Sequence, residues 1–151
     1  MRINEKESED NRVQNYQKLE LKPGEFFIVP NAIFELDLPY PAIALYAYIM
    51  KMEDHSNFTC HPSFEQIGQA LQMSPNTITK YAHLLQRKGL IYLERTKYYT
   101  ESGRKMHGRI NINILPIKPI WEVHQEKKLQ LQLAVMRQEA ALREYDKRHK
   151  K

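Results

Sequence analysis

With 151 residues, 42% of them hydrophobic and 27% charged, the chain has material for one domain of ordinary size plus appendages. Cys60 is its single cysteine, which excludes an intramolecular disulfide and a multi-thiolate metal site, and no apolar run approaches the length of a membrane span. The formal net charge of +5 is unevenly spread: residues 1–54 hold ten acidic residues against six Lys or Arg, and residues 75–118 hold nine Lys or Arg against two acidic residues. No apolar segment of the secretory kind follows Met1 and Arg2, so a cytoplasmic location is expected.

Residues 1–22 are polar and read as a flexible N-terminal arm. Pro23-Gly24 is a turn signal, after which Phe26-Phe27-Ile28-Val29 reads as a short buried strand stopped by Pro30-Asn31. A helix is predicted over roughly 41–53, with Pro41 in its first turn and Ala42, Leu45, Tyr46, Ile49 and Met52 at helical spacing. Ser63-Phe64-Glu65-Gln66 has the pattern of a capping box and opens a short helix to about residue 71. Ser74-Pro75 supplies an N-cap and a first-turn proline for a further helix, which ends at Lys88-Gly89.

Residues 90–97 read as a strand, and Arg109-Ile110-Asn111-Ile112-Asn113-Ile114-Leu115 alternates as its hairpin partner, with a polar loop from Tyr98 to Gly108 between them. Cys60 is expected to pack in the connector before Ser63, as a short third strand of that sheet. Pro116 and Pro119 close the domain. From Trp121 to about Tyr145 the composition favours one long helix.

Helix, connector, helix, tight turn, helix and hairpin is an informative order. Over Phe64–Ala82 the spacing fits two short helices crossing steeply around a shared apolar wedge. Ile67 and Leu71 face in from the first helix, Met73 plugs the turn, and Ile78 and Tyr81 face in from the second, with Gly68 where the helices approach. The run SFEQIGQALQMSPNTITKYAHLLQRKGLI (Ser63–Ile91) resembles the winged-helix domains of bacterial transcriptional regulators. FIVPN (Phe27–Asn31), followed by ALYAY (Ala44–Tyr48), is similar to the front of such domains in plasmid and phage replication initiators. Gln72 stands where Gly is often found at the turn, and Gly68 where Ala is commoner.

The resemblance implies a mainly α fold with a small antiparallel β-hairpin: a winged helix-turn-helix over 23–118, followed by a C-terminal helix and basic tail over 119–151. It also implies sequence-specific binding of double-stranded DNA by a transcriptional regulator. Origin binding in replication initiation is the alternative, and a protein-interaction module is the alternative of another class. Asn76, Thr77, Thr79, Lys80 and His83 fall on the outer side of the second helix and suit base edges in a major groove. Amides behind Ser63 and Ser74 suit phosphates at helix N-termini. Lys97, Arg104, Lys105, His107 and Arg109 of the wing suit the backbone or the minor groove.

His55, Cys60 and His61 lie close together but lack a convincing fourth ligand, so no metal or other cofactor is expected. No Gly-rich phosphate loop or positioned nucleophile appears, so no enzymatic activity is expected either. The C-terminal helix bears two apolar stripes, Leu129-Leu133-Met136-Ala140 and Leu131-Val135-Leu142-Tyr145, which suit a homodimer contact or folding back on the domain.

Overall fold

The computed structural model describes residues 18–22, 24–54 and 56–150. Of the expected arm, residues 1–17 lie outside the described part, and Lys18–Glu20 form a turn. A short 3-10 turn, Asn31–Glu35, precedes helix α1, Tyr40–Met52. Strand β1, Thr59–Cys60, leads to helix α2, Phe64–Leu71, and helix α3, Pro75–Arg87. Strands β2, Ile91–Tyr99, and β3, Lys105–Ile114, form the hairpin, and helix α4 runs from Lys118 to His149.

The predicted starts of α2 and α3 coincide with real caps. Ser63 Oγ accepts from the Gln66 amide at 3.1 Å, and Gln66 Oε1 accepts from the Ser63 amide at 3.0 Å, so the capping box is complete. Ser74 Oγ accepts from the Thr77 amide at 3.2 Å, with Pro75 opening α3. Gly89 ends α3 with φ +79°, a conformation open to glycine at little cost.

The three helices and the sheet enclose one core. Ile33 and Leu36 enter it from the 3-10 turn and its C-cap, Leu45, Tyr46 and Ile49 from α1, Ile67 from α2, and Ile78, Ala82 and Leu85 from α3. Leu90, Ile91, Cys60 and Ile112 close it on the sheet side, and Leu71, Met73 and Tyr81 pack half-buried around it. A Cβ on residue 68 would press into the Met73 carbonyl, so the small Gly68 serves the turn as much as the helix crossing.

Two expectations need correction. Phe26–Val29 is no strand: Phe26, Phe27 and Ile28 are exposed, and only Val29 packs against the core. The sheet has order β1-β3-β2, and residues 26–29 are not one of its strands. Met52, assigned to the inner stripe of α1, is 45% exposed in the helix's last turn.

The hairpin is longer and its loop tighter than expected. β2 continues to Tyr99 and β3 starts at Lys105, with the chain reversing over Thr100–Arg104. Thr100 closes that turn: its amide donates to Arg104 O at 2.9 Å, and its Oγ1 accepts from the Arg104 amide at 3.1 Å. β1 pairs with β3 through Cys60 opposite Ile112, as the third strand expected of it. Pro119 sits inside the first turn of α4, which starts three residues before the expected Trp121.

Candidate nucleic-acid interface

Helix α3 buries one side and offers the other. Ile78, Ala82 and Leu85 are fully in the core; Asn76, Lys80 and His83 are exposed, and Thr77 and Thr79 are half-exposed. The hydroxyls are not equally available. Thr79 Oγ1 donates to Pro75 O at 2.9 Å, which leaves its methyl and lone pairs for an incoming group, and Thr77 Oγ1 lies 2.8 Å from Ser74 Oγ. Asn76 and Lys80 are the unrestrained polar side chains of the helix's first two turns, with the Lys80 ammonium 5.3 Å from the Tyr81 ring centre.

The helix N-termini contribute less than expected. Of the first three amides of α3, Pro75 has no N–H and that of Thr77 is bonded to Ser74, so the Asn76 amide is the donor that end retains. At α2 the amides of Phe64 and Glu65 remain, with the Glu65 carboxylate beside them.

The wing is positioned on α3 by Gln86. Its Oε1 accepts from the Leu93 amide at 2.8 Å, tying the last turns of α3 to β2. Ile91, Leu93 and Arg95 share the helix-facing side of β2, running from buried through half-buried to exposed. Beyond the core, that face carries Arg95, Lys97 and Tyr99.

A bulge sorts the cations of β3 onto the same side. Arg95 pairs with Ile110 and Lys97 with His107, so two steps along β2 match three along β3, with the extra residue near Gly108. An inserted residue reverses the alternation. Lys105 and His107, opposite Tyr99 and Lys97, thereby share the face of Ile110 and the helices. Gly108 is needed there, because a Cβ would run into Thr96 Oγ1, which donates to Arg109 O at 2.8 Å.

The two surfaces meet in a groove. One stretch is lined by Phe64, Thr79, His83, Gln86, Leu93, Arg95 and Ile110. It continues past Phe64 and Ile110 into a second stretch bordered by His61, Ser63, Gln66 and Arg109. The structure thus brings Thr79, His83, Ser63 and Arg109 together, adjoins Lys97, Lys105 and His107 to them, and holds Arg104 at the exposed wing tip.

Sequence reasoning did not assign Arg95 or His61 to this surface. Strand alternation put Arg95 on one face with Ile91 and Leu93, and that was the available signal. His61 borders the groove while Cys60 is buried, so the two do not converge on a common site. His55 lies outside the described residues, and no metal-holding group of three or more His, Cys, Asp or Glu occurs among the described ones.

Three helices, the second and third joined by a tight turn, and a β-hairpin wing define a winged helix-turn-helix domain. Residues 36–91 match the family described as "Helix-turn-helix domain", a stretch that ends at the first residue of β2 and leaves the wing and α4 outside. No curated protein matches the chain. Similar solved structures include a possible transcriptional regulator from Methanosarcina mazei Go1, with TM-score 0.45, 13% identity, and coverage of 80% of this chain and 98% of that one. A mutant of MepR from S. aureus gives 0.38 at 17% identity over 95% and 97%, and a MarR family protein from Bacillus stearothermophilus 0.33 at 14% over 99% and 100%. With TM-scores below one half, these likenesses carry no conclusion about the activity of this chain.

Proposed function

We propose that the chain binds double-stranded DNA sequence-specifically and acts as a transcriptional regulator by occupancy of its site, without catalysis. One observation carries this reading: Thr79, His83 and Gln86 of α3 and Arg95 of the wing line one groove, with Lys97 next along the same face of β2. In the bound state α3 lies in the major groove. Asn76, Thr77, Thr79, Lys80 and His83 meet base edges or flanking phosphates, with Asn suited to adenine and Lys to guanine or phosphate. Lys97, Arg104, Lys105, His107 and Arg109 follow the backbone, and Ser63 and Ser74 hold the helix ends beside it. Arg95 and His61 join them from the groove floor and rim.

The chain acts as a homodimer joined through α4, which favours half-sites about one helical turn apart. The protein works in the cytoplasm; among the described residues no helix is long and apolar enough to cross a membrane.

Selection of bound duplexes from a random pool tests the proposal. A recovered motif with two-fold symmetry supports it, and its loss in Lys80→Ala combined with Arg104→Ala supports the assigned surface. Recovery of no sequence above background contradicts it.

A further inference from the structure

We infer that α4 carries two association seams on opposite faces, and that the chain consequently assembles beyond the dimer, with copies of itself on both sides of the helix. This rests on the reading of α4 as a self-association element and extends it.

Helix α4 is held to the domain only by its root. Ile120 and Trp121 pack against the core, the Trp121 indole donates to Glu35, and His124 Nε2 lies 3.1 Å from Asp37 Oδ2. No residue of Lys118–His149 is buried, and every residue from Glu126 to Lys150 is exposed. At a rise of about 1.5 Å per residue, this leaves roughly 36 Å of free helix.

That free part is not a polar rod. Leu129, Leu133, Met136 and Ala140 follow one another in heptad steps, and Leu131, Val135, Leu142 and Tyr145 do so in a second register, with Gln138 at the intervening position. At about 100° per residue the two series lie on roughly opposite sides of the helix. Leu129 and Met136 of the first are 56% and 63% exposed, and Leu131 and Leu142 of the second 67% and 62%. A single partner helix covers one seam and leaves the other in water.

The spacing identifies the occupant as a helix bearing the same repeat. Helices α1 to α3 are committed to the core. Residues 1–17 offer only Met1, Ile3, Val13 and Tyr16 as large apolar side chains among seven charged ones, too few to line a seam. The α4 of another copy matches either seam in length and register. Its charges permit close approach, since residues 119–149 hold six Lys or Arg against five acidic residues. Like seams meeting like seams give two isologous contacts on opposite faces, and these do not close on two copies. Helices then lie side by side in a layer, which would link DNA-bound dimers to one another.

Analytical ultracentrifugation of the full chain over a wide concentration range tests this, with helix content followed by circular dichroism. Leu133→Glu with Met136→Glu disables the first seam, and Leu131→Glu with Leu142→Glu the second; all four positions are exposed, and the core is untouched. The expected masses are above the dimer and rising with concentration for the parent chain, a dimer for either pair, and a monomer for the four changes together. A parent chain that stops at a dimer, unaltered by the second pair, overturns the second seam while leaving the dimer intact. A parent chain monomeric throughout overturns the seams and the dimer together. Duplex binding, measured separately on the monomeric variant, reports on the DNA reading alone.

Discussion

Gly68 within α2 and Gln72 at its C-cap shape the turn into α3, and each departs from what its position favours. An alanine inside a helix normally stabilises it relative to glycine by about 0.5–1 kcal/mol. At residue 68 the added methyl meets the Met73 carbonyl, whose own residue is fixed by a 2.9 Å bond from its amide to Gly68 O. Overpacking of this kind costs about 1–3 kcal/mol and outweighs the helix propensity. Gly68→Ala should therefore lower the urea midpoint. Gln72 adopts φ +56° without being glycine, and Gln72→Gly should raise stability by about 0.5–1 kcal/mol in the same assay. The sequence marked both positions as unusual. It did not reveal that the atom limiting Gly68 is a backbone oxygen of the turn.

Cys60 adds a pH dependence at the residue scale. Burial, reinforced by Glu53, pushes its thiol from 9.0 up to about 11. Between those values the unfolded chain has released the proton and the folded chain still holds it, so stability falls as pH rises through that window. The slope from this group approaches about 1.4 kcal/mol per pH unit. Tyr46, raised by burial and then by Glu53, carries the same sign at higher pH. Cys60→Ala should flatten the fall between pH 9 and 11 in chemical denaturation; an unchanged slope would show that the thiol does not contribute.

Among the elements, the wing depends on a detail that no periodicity announces. The alternation of Arg109–Leu115 was legible as a strand, and the cations before it as a wing. Which way Lys105 and His107 point depends on the bulge at Gly108, a property of the pairing with β2. Arg95 escaped notice for a related reason: alternation assigns a residue to a face, and only packing tells which face meets α3. The 26–29 segment failed in the opposite sense: an apolar run is buried as a strand only where it joins a sheet, and residues 26–29 add to neither outer strand, β1 nor β2.

Gly108→Val should crowd Thr96, disturb the bulge and weaken duplex binding by more than its effect on the unfolding midpoint would account for. At the root of α4, Trp121→Ala removes the bond to Glu35 and half-buried packing against the core. The expected cost is about 1–3 kcal/mol, with faster proteolysis between Ile117 and Trp121. Equal cleavage rates in variant and parent would contradict the docking.

For the molecule as a whole, the order of helices, the caps and the hairpin were readable because each carries a local signal: Ser63, Ser74, Pro75 and Gly89 sit where caps require them. The projection of α4 was not, because its apolar stripes suit a fold-back as well as a partner. Its contacts are confined to the first turns, where Trp121 bonds Glu35 and Ile120 lies close to Gly89, and residues 126–150 are exposed. The charge distribution, acidic before residue 55 and basic after residue 74, is likewise a property of the whole chain, and it gains meaning once β2, β3 and α3 share a groove.

Titration of a duplex carrying the selected motif at several salt concentrations probes that shared surface most directly. If roughly six to eight phosphates are neutralised, log affinity should fall against log salt with a slope of about −5 to −7, and Lys80→Ala, Arg95→Ala and Arg104→Ala should each reduce the slope by about one where the lost contact is to phosphate. An affinity indifferent to salt, unchanged by all three substitutions, would contradict a DNA-binding role for the groove.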